Sequence, residues 1–248
     1  MSRAYAIGDV HGQLSRLRQA HALIEEDRRR TGDDRAPVVH LGDLVDRGPD
    51  SRGVIQFLID GLAAGAPWLA LKGNHDRLFA RYLSDPLWTE PHLREDYHWL
   101  HPALGGRQTL ASYGVEAAEG GSPAEAHAET LARVPEAHVA FLAALPLWHR
   151  LGEALFVHAG IRPGVALEEQ TEDDLVWIRA PFLDHTGDHG VLVVHGHTTV
   201  EAATHYGNRL NLDSGAGYGG PVSAAVIEGR SAWLLTECGR LPMEPLGG

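Results

Sequence analysis

Cysteine and lysine are nearly missing from this chain. Cys238 is the sole cysteine, which excludes a disulfide framework and any zinc site built from thiolates. Lys72 is the sole lysine. The positive charge is therefore almost all arginine, whose planar fork holds a carboxylate or phosphate through two parallel hydrogen bonds. Long apolar runs are missing as well, and none approaches the ~18 residues that a membrane-spanning helix needs. Residues 1–5 lead straight into a strand pattern rather than a secretory signal. The one basic tract, Arg28-Arg29-Arg30, stands beside Glu25, Glu26 and Asp27 and reads as a solvated helix face. With a formal net charge of −12, these gaps argue against nucleic acid and membrane as partners. They lead us to expect a cytoplasmic protein, monomeric by default.

What is present reads as one large α/β domain over residues 1–248, with an ordinary apolar content of 44%. Residues 3–8 form a first apolar strand. Residues 13–30 follow as an amphipathic helix with Leu14, Leu17, His21 and Ile24 along one face, closed by Thr31-Gly32-Asp33-Asp34. A second strand at 37–41, a helix from Asp50 to about Leu62 and a third strand at 66–71 repeat the unit. Three strand–loop–helix units in succession predict a parallel sheet with helices on its faces. From about 77 to 150, three tryptophans, several prolines and an alanine-rich stretch at 122–145 predict a mostly helical insertion. Strand patterns resume at 154–157 and 191–194. Short strands at 209–212, 222–227 and 232–235 predict an antiparallel or mixed second sheet.

Each apolar strand ends in a polar cluster, and the clusters share one chemistry. They are Asp9-Val10-His11, Asp43 with Asp46, Asn74 with His75, His158, and His197. Carboxylate, amide and imidazole donors suit manganese, iron, zinc and similar divalent ions. Without thiolates, the set points to a reactive rather than a purely structural metal site. Neighbouring glycines, among them Gly8, Gly42, Gly73 and Gly196, let the backbone approach a bound ion or phosphate. Asp and Asn are common helix caps, so any one cluster is open to that reading. Five of them, each at a strand end, are not explained by capping.

Taken in order, the blocks Gly8-Asp9-Val10-His11-Gly12, Gly42-Asp43-Leu44-Val45-Asp46-Arg47-Gly48, Gly73-Asn74-His75-Asp76, His158-Ala159-Gly160 and Gly196-His197-Thr198 resemble the five signatures of the calcineurin-like metallophosphoesterases. Asp46-Arg47-Gly48 resembles the phosphoprotein phosphatase branch, in particular its small bacterial and phage members. The resemblance implies a four-layer α/β/β/α sandwich, two mixed sheets flanked by helices, with two divalent metals at its mouth. It implies manganese first, with iron or zinc as alternatives. Asp9 and His11 would bind the first metal, Asp43 would bridge both, and Asn74, His158 and His197 would bind the second. His197 follows the glycine of the last block, so the ligand falls there rather than at His195.

Two cations sharing a carboxylate acidify a bridging water and neutralise phosphate charge together. Direct attack of that hydroxide on phosphorus further requires a clamp on the phosphate oxygens and a general acid for the leaving oxygen. By resemblance Arg47, Arg179 and Asn74 hold the phosphate, His75 is the acid and Asp46 orients it. The other reading of Arg179 is a surface ion pair with Asp173 or Asp174. Gly105-Gly106 resembles a glycine pair near the site of small bacterial members, although Leu104 stands where those carry asparagine. Tyr218, on a glycine-rich loop, either reaches over the metals or is an unengaged loop aromatic.

The implied substrate is a phosphoprotein or small phosphorylated molecule, with phosphoserine, phosphothreonine and also phosphotyrosine in range. The rival is a symmetrical dinucleoside-tetraphosphate hydrolase of the same fold, whose members typically lack the aspartate matching Asp46. A third reading, a scaffold without turnover, calls for broken ligand sets, and here every matched position is filled.

Overall fold

Alternation of side chains along the strands builds the layers. The computed structural model describes residues 2–118 and 122–246. β1 (Arg3–Ile7), α1 (Leu14–Thr31), β2 (Val38–His40), α2 (Ser51–Ala63), β3 (Trp68–Ala70) and α3 (Asn74–Ser84) follow one another as predicted. β1, β2 and β3 pair in parallel. α4 (Gly106–Ser112), α5 (His127–Arg133), α6 (Glu136–Ala144), β4 (Trp148–Leu151), β5 (Ala154–Val157), α7 (Glu172–Trp177) and α8 (Ala180–Leu183) come next. The chain continues through β6 (Leu192–His195), β7 (Thr204–His205), β8 (Arg209–Asn211), β9 (Ala224–Glu228), β10 (Ser231–Thr236) and β11 (Gly239–Pro242).

The first sheet runs β11-β10-β9-β1-β2-β3 and the second β4-β5-β6-β8-β7. Tyr5, Ile7 and Val38 pack against Leu17 and Ile24 of α1 and Val54 and Leu58 of α2. On the opposite face Ala4, Ala6 and Val39 meet Phe156, Leu192 and Val194 of the second sheet. Leu155, Val157 and Val193 then turn to Leu175, Val176 and Phe182 of α7 and α8. Helix, sheet, sheet and helix therefore stack in that order, as expected of a strand whose successive side chains point to opposite faces. Each fully buried aliphatic or aromatic side chain contributes roughly 1.5–3 kcal/mol.

Three sequence expectations need correction or narrowing. The carboxy-terminal strands do not all enter the second sheet. β8 does, beside β6, whereas β9, β10 and β11 extend the first sheet antiparallel from β1. The β1–β9 pairing that sets this joins residues some 220 positions apart in the chain, such as Ala6 with Ala225, and no local pattern encodes it. Arg28 is not on a solvated face, because it is buried and donates to Glu25 Oε1 and the Ala36 carbonyl, both at 2.7 Å. Residues 77–150 divide three ways. Residues 77–84 complete α3, a stretch of turns leads to the three helices α4–α6, and β4 is an edge strand of the second sheet. Among the described residues, no helix is long and apolar enough to cross a membrane.

A buried imidazole pair ties α1 to β2. His40 Nδ1 donates to the Leu69 carbonyl at 3.1 Å, so its Nε2 accepts from His21 Nε2 at 3.0 Å. Both rings sit against Trp68. Burial first, and then His40, lowers the His21 pKa to about 2, and burial lowers that of His40 to about 4. Below the ordinary value of 6.5 the unfolded chain binds protons that the folded pair refuses. Stability therefore falls with acidity, by roughly 1 kcal/mol per pH unit for each ring. Urea midpoints at about pH 7.5 and about pH 5.5 test this. A His21→Leu/His40→Leu double variant should show a flatter dependence than the parent, and an equally steep one would contradict the assignment.

Candidate active site

The loops that leave β1, β2, β3, β5 and β6 converge at the carboxyl ends of the parallel strands, where open α/β sheets place their ligands. Their approach is close: a Cβ on Gly73 would lie 2.2 Å from the backbone nitrogen of Asp43. The backbone is also strained. Among the described residues, the only non-glycine residues with positive φ are His11, Asp43, Asp46, Arg47 and His197. Each such conformation costs on the order of 1–3 kcal/mol and persists only where the surroundings impose it. All five had been singled out from sequence.

Two donor groups form there. Ligand atoms of His11, Asp43 and His75 lie within 4.8 Å of one another, as do those of Asp43, His158 and His197, and every member is buried. Asp43 belongs to both. Its Oδ2 is 3.4 Å from His11 Nε2 and its Oδ1 is 3.3 Å from His158 Nε2. Asn74 Oδ1 lies 3.0 Å from His158 Nε2 and 2.8 Å from His197 Nδ1. Asp9 stands outside both groups, its carboxylate accepting from the His197 backbone N–H at 3.2 and 3.3 Å. His75, expected as an acid, takes the place in the first group that Asp9 was expected to fill.

The donor chemistry fits divalent metal. His11 Nδ1 donates to the Val45 carbonyl and His158 Nδ1 to the Leu41 carbonyl, both at 2.9 Å. The Nε2 atoms of both rings are thereby left facing inward, the arrangement seen when imidazole binds metal through one nitrogen and backbone through the other. His158 Nε2 and Asn74 Oδ1 point into the same space 3.0 Å apart, as two ligands of one ion would. Burial, followed by the charges of Asp213 and Asp43, raises the Asp9 carboxyl well above its usual range. Burial lowers His11 and His197. Buried carboxylates and inward-facing imidazole nitrogens together make a donor set that suits a divalent ion, beside the guanidiniums that flank it.

Around these groups stand the other expected residues. His75 Nδ1 donates to Asp46 Oδ2 at 2.7 Å. Arg47 Nη1 reaches His11 Nε2 at 2.5 Å and Nη2 reaches His75 Nε2 at 3.0 Å. Arg179 is not paired with Asp173 or Asp174, whose carboxylates are taken by Arg77 and Arg162 at 2.5 Å. It instead points Nε at His197 Nε2, 3.3 Å away. All of this opens on a cavity of about 480 Å³ whose wall includes Trp177 and Tyr218. Tyr218 is 69% exposed, with the Arg47 guanidinium 4.8 Å above its ring. His195 is buried against Phe182, and His98, His101, His185 and His189 enter neither donor group.

Sequence reasoning missed Trp99, Thr109 and Ser51. Trp99 Nε1 donates to Asp46 Oδ2 at 2.9 Å and Thr109 Oγ1 to Asp46 Oδ1 at 2.7 Å. The Asp46 backbone N–H donates to Ser51 Oγ at 3.1 Å and to Thr109 Oγ1 at 2.9 Å. No spacing rule links positions 46, 99 and 109, and the one available signal was the Gly105-Gly106 pair shortly before Thr109.

A family model described as calcineurin-like phosphoesterase matches residues 2–220. The symmetrical bis(5'-nucleosyl)-tetraphosphatase of Nitrosococcus oceani is 28% identical over 283 aligned residues, covering 94% of this chain and 96% of that protein. Shewanella-like protein phosphatase 2 of Arabidopsis thaliana is 37% identical over 81 residues, 30% of this chain. The match spans 20% of that protein's length. Among solved structures, a cold-active protein-tyrosine phosphatase of a psychrophilic Shewanella superposes with a TM-score of 0.62 at 17% identity, over 98% of this chain and 81% of that one. That likeness is one of fold.

Proposed function

The chain belongs to the calcineurin-like phosphoesterase family, and from that premise we propose a dinuclear-metal-dependent phosphomonoesterase acting on phosphoserine and phosphothreonine, with phosphotyrosine also in range. The observation that carries the substrate choice is the 2.7 Å contact between His75 and Asp46, which opens on the same cavity as both donor groups. An oriented general acid matters most for an alkoxide leaving group, which departs poorly without a proton. A nucleoside phosphate departing from a phosphoanhydride needs that proton less.

Asp9, His11 and Asp43 would hold one divalent ion, and Asp43, Asn74, His158 and His197 the other, with manganese favoured over iron or zinc. Bound there, such a pair supplies positive charge to the phosphoryl oxygens and acidifies water. Arg47 and Arg179, flanking the cavity from opposite loops, bind the phosphate oxygens, with Asn74 between them. At present Arg47 donates toward the inward nitrogens of both His11 and His75. An arriving phosphate competes for those N–H groups and frees His75 Nε2 to carry a proton to the leaving oxygen. Asp46, accepting from Nδ1, keeps the ring turned for that transfer. The scarcity of cysteine supports a reducing, cytoplasmic setting, and no second subunit is needed to complete the site.

A second reading is a symmetrical dinucleoside-tetraphosphate hydrolase, and the near-complete alignment with the Nitrosococcus oceani protein favours it. Competition decides between them. With manganese present, a phosphoserine peptide and a nitrophenyl phosphate are expected to turn over with higher kcat/KM than diadenosine tetraphosphate. Preferential cleavage of the dinucleotide at low substrate concentration would reverse the assignment.

A further inference from the structure

Residues 99–109, of which Leu104 lines the cavity, reach the groups behind it. The Asp46 carboxylate is fully buried, and both of its oxygens are committed. Oδ1 accepts from Thr109 Oγ1 at 2.7 Å, and Oδ2 accepts from Trp99 Nε1 at 2.9 Å as well as from His75 Nδ1 at 2.7 Å. A carboxylate with a single partner turns freely about its last side-chain bond. One held at both oxygens does not, and its plane then dictates where the His75 ring lies.

The same short segment is anchored on the elements that carry the other groups. The Trp99 ring stacks on Phe79 with centroids 5.1 Å apart and planes at 19°, and Phe79 sits one helical turn after His75 on α3. The Gly105 carbonyl accepts from the Arg47 N–H at 3.2 Å. With φ at +87°, a Cβ on Gly105 would fall 2.3 Å from the Arg47 backbone nitrogen. A Cβ on Gly106 would fall 2.6 Å from the Trp99 ring. This accounts for the glycine pair in this chain by backbone packing, with no need for a substrate contact from position 104.

We propose that Trp99 and Thr109 are positioning residues which lock the Asp46 carboxylate and, through it, hold the His75 imidazole with Nε2 toward the cavity. The inference rests on the reading of His75 as general acid. No covalent step is added: the proton still passes from His75 to the leaving oxygen, and these side chains only fix the geometry of its holder.

The test uses the full chain at saturating manganese, with phosphate monoesters whose leaving groups range from nitrophenol to simple alcohols. Trp99→Phe keeps an aromatic ring beside Phe79 while removing the N–H together with part of the indole, and Thr109→Val replaces the hydroxyl by a methyl of similar size. Each is expected to lose about tenfold or more in kcat for alkyl esters and less than about threefold for nitrophenyl esters, with KM within about twofold. The dependence of kcat on leaving-group pKa thus becomes steeper, and Thr109→Ser restores the parent slope. Equal losses across the series, or an unchanged slope, would overturn the proposal, because a merely structural defect does not discriminate between leaving groups.

A second measurement does not depend on turnover. In metal-free protein the proton on His75 Nδ1, buried against Asp46, is expected to give a slowly exchanging imidazole resonance, broadened or lost in Trp99→Phe and Thr109→Val. Its persistence unchanged in both variants would overturn the proposal. A parent protein that hydrolyses no monoester, yet shows the resonance lost in both variants, would instead overturn the phosphomonoesterase reading and leave the positioning role standing.

Discussion

A His75→Asn protein is expected to retain both metals while losing on the order of 10²–10⁴-fold in turnover of alkyl phosphates. The argument begins with the ring's two nitrogens. Nδ1 is committed to Asp46 at 2.7 Å, and Nε2 is the edge that Arg47 meets at 3.0 Å. A group held in that way is turned to deliver a proton from Nε2 to a leaving oxygen. Geometry alone allows another role, because His75 falls in one donor group with His11 and Asp43. Metal content therefore decides. Retention of two equivalents with a selective loss for poor leaving groups supports the acid role, and loss of one equivalent would make His75 a ligand. Nitrophenyl phosphate, whose leaving group departs without help, should lose far less.

Replacing Asp43 by Asn should weaken the binding of both metals and remove most of the stability that metal confers. Asp43 is the one residue common to both donor groups, so its charge is shared by both sites. Removing it is expected to weaken binding of both ions by about 100-fold or more, at or beyond the usual effect of disturbing an outer partner. In metal-free protein that charge bears on its surroundings both ways: burial opposes it, yet His158 and the other nearby imidazoles hold the Asp43 carboxyl well below its usual range. Burial first, and then Asp43, pushes the Asp76 carboxyl up to about 8, and Asp43 also raises Asp9 and Asp213.

Adding manganese should stabilise the parent, by about 4 kcal/mol at a thousandfold excess over Kd, and the variant hardly at all. Full two-metal occupancy in the variant, or an undiminished metal-induced rise in melting temperature, would remove Asp43 from the bridging position.

Much of the candidate site was legible because each part is local. A strand that ends in Gly-Asp or Gly-Asn-His declares its chemistry within four residues, and parallel strands bring such ends together without further instruction. Asp43, Asp46 and Arg47 were identifiable in this way before any coordinates, as were Asp9, His11, Asn74, His75, His158 and His197. Their left-handed backbone was not, since nothing in Asp43 or Arg47 as residue types announces a positive φ.

The sequence by itself determined the period of each element, the order of the strand-end clusters and the chemistry of their donors, because these depend on neighbours a few positions apart. Only the tertiary structure decided which sheet β9–β11 would join and which carboxylates would claim Arg77 and Arg162, leaving Arg179 at the cavity. It alone brought Trp99 and Thr109 onto Asp46. Apart from Arg162 with Asp174, those choices depend on contacts between residues fifty to more than two hundred positions apart, such as Asp46 with Trp99 and Ala6 with Ala225. They are settled by which surfaces pack together when the chain closes, and packing leaves no periodic trace along the chain.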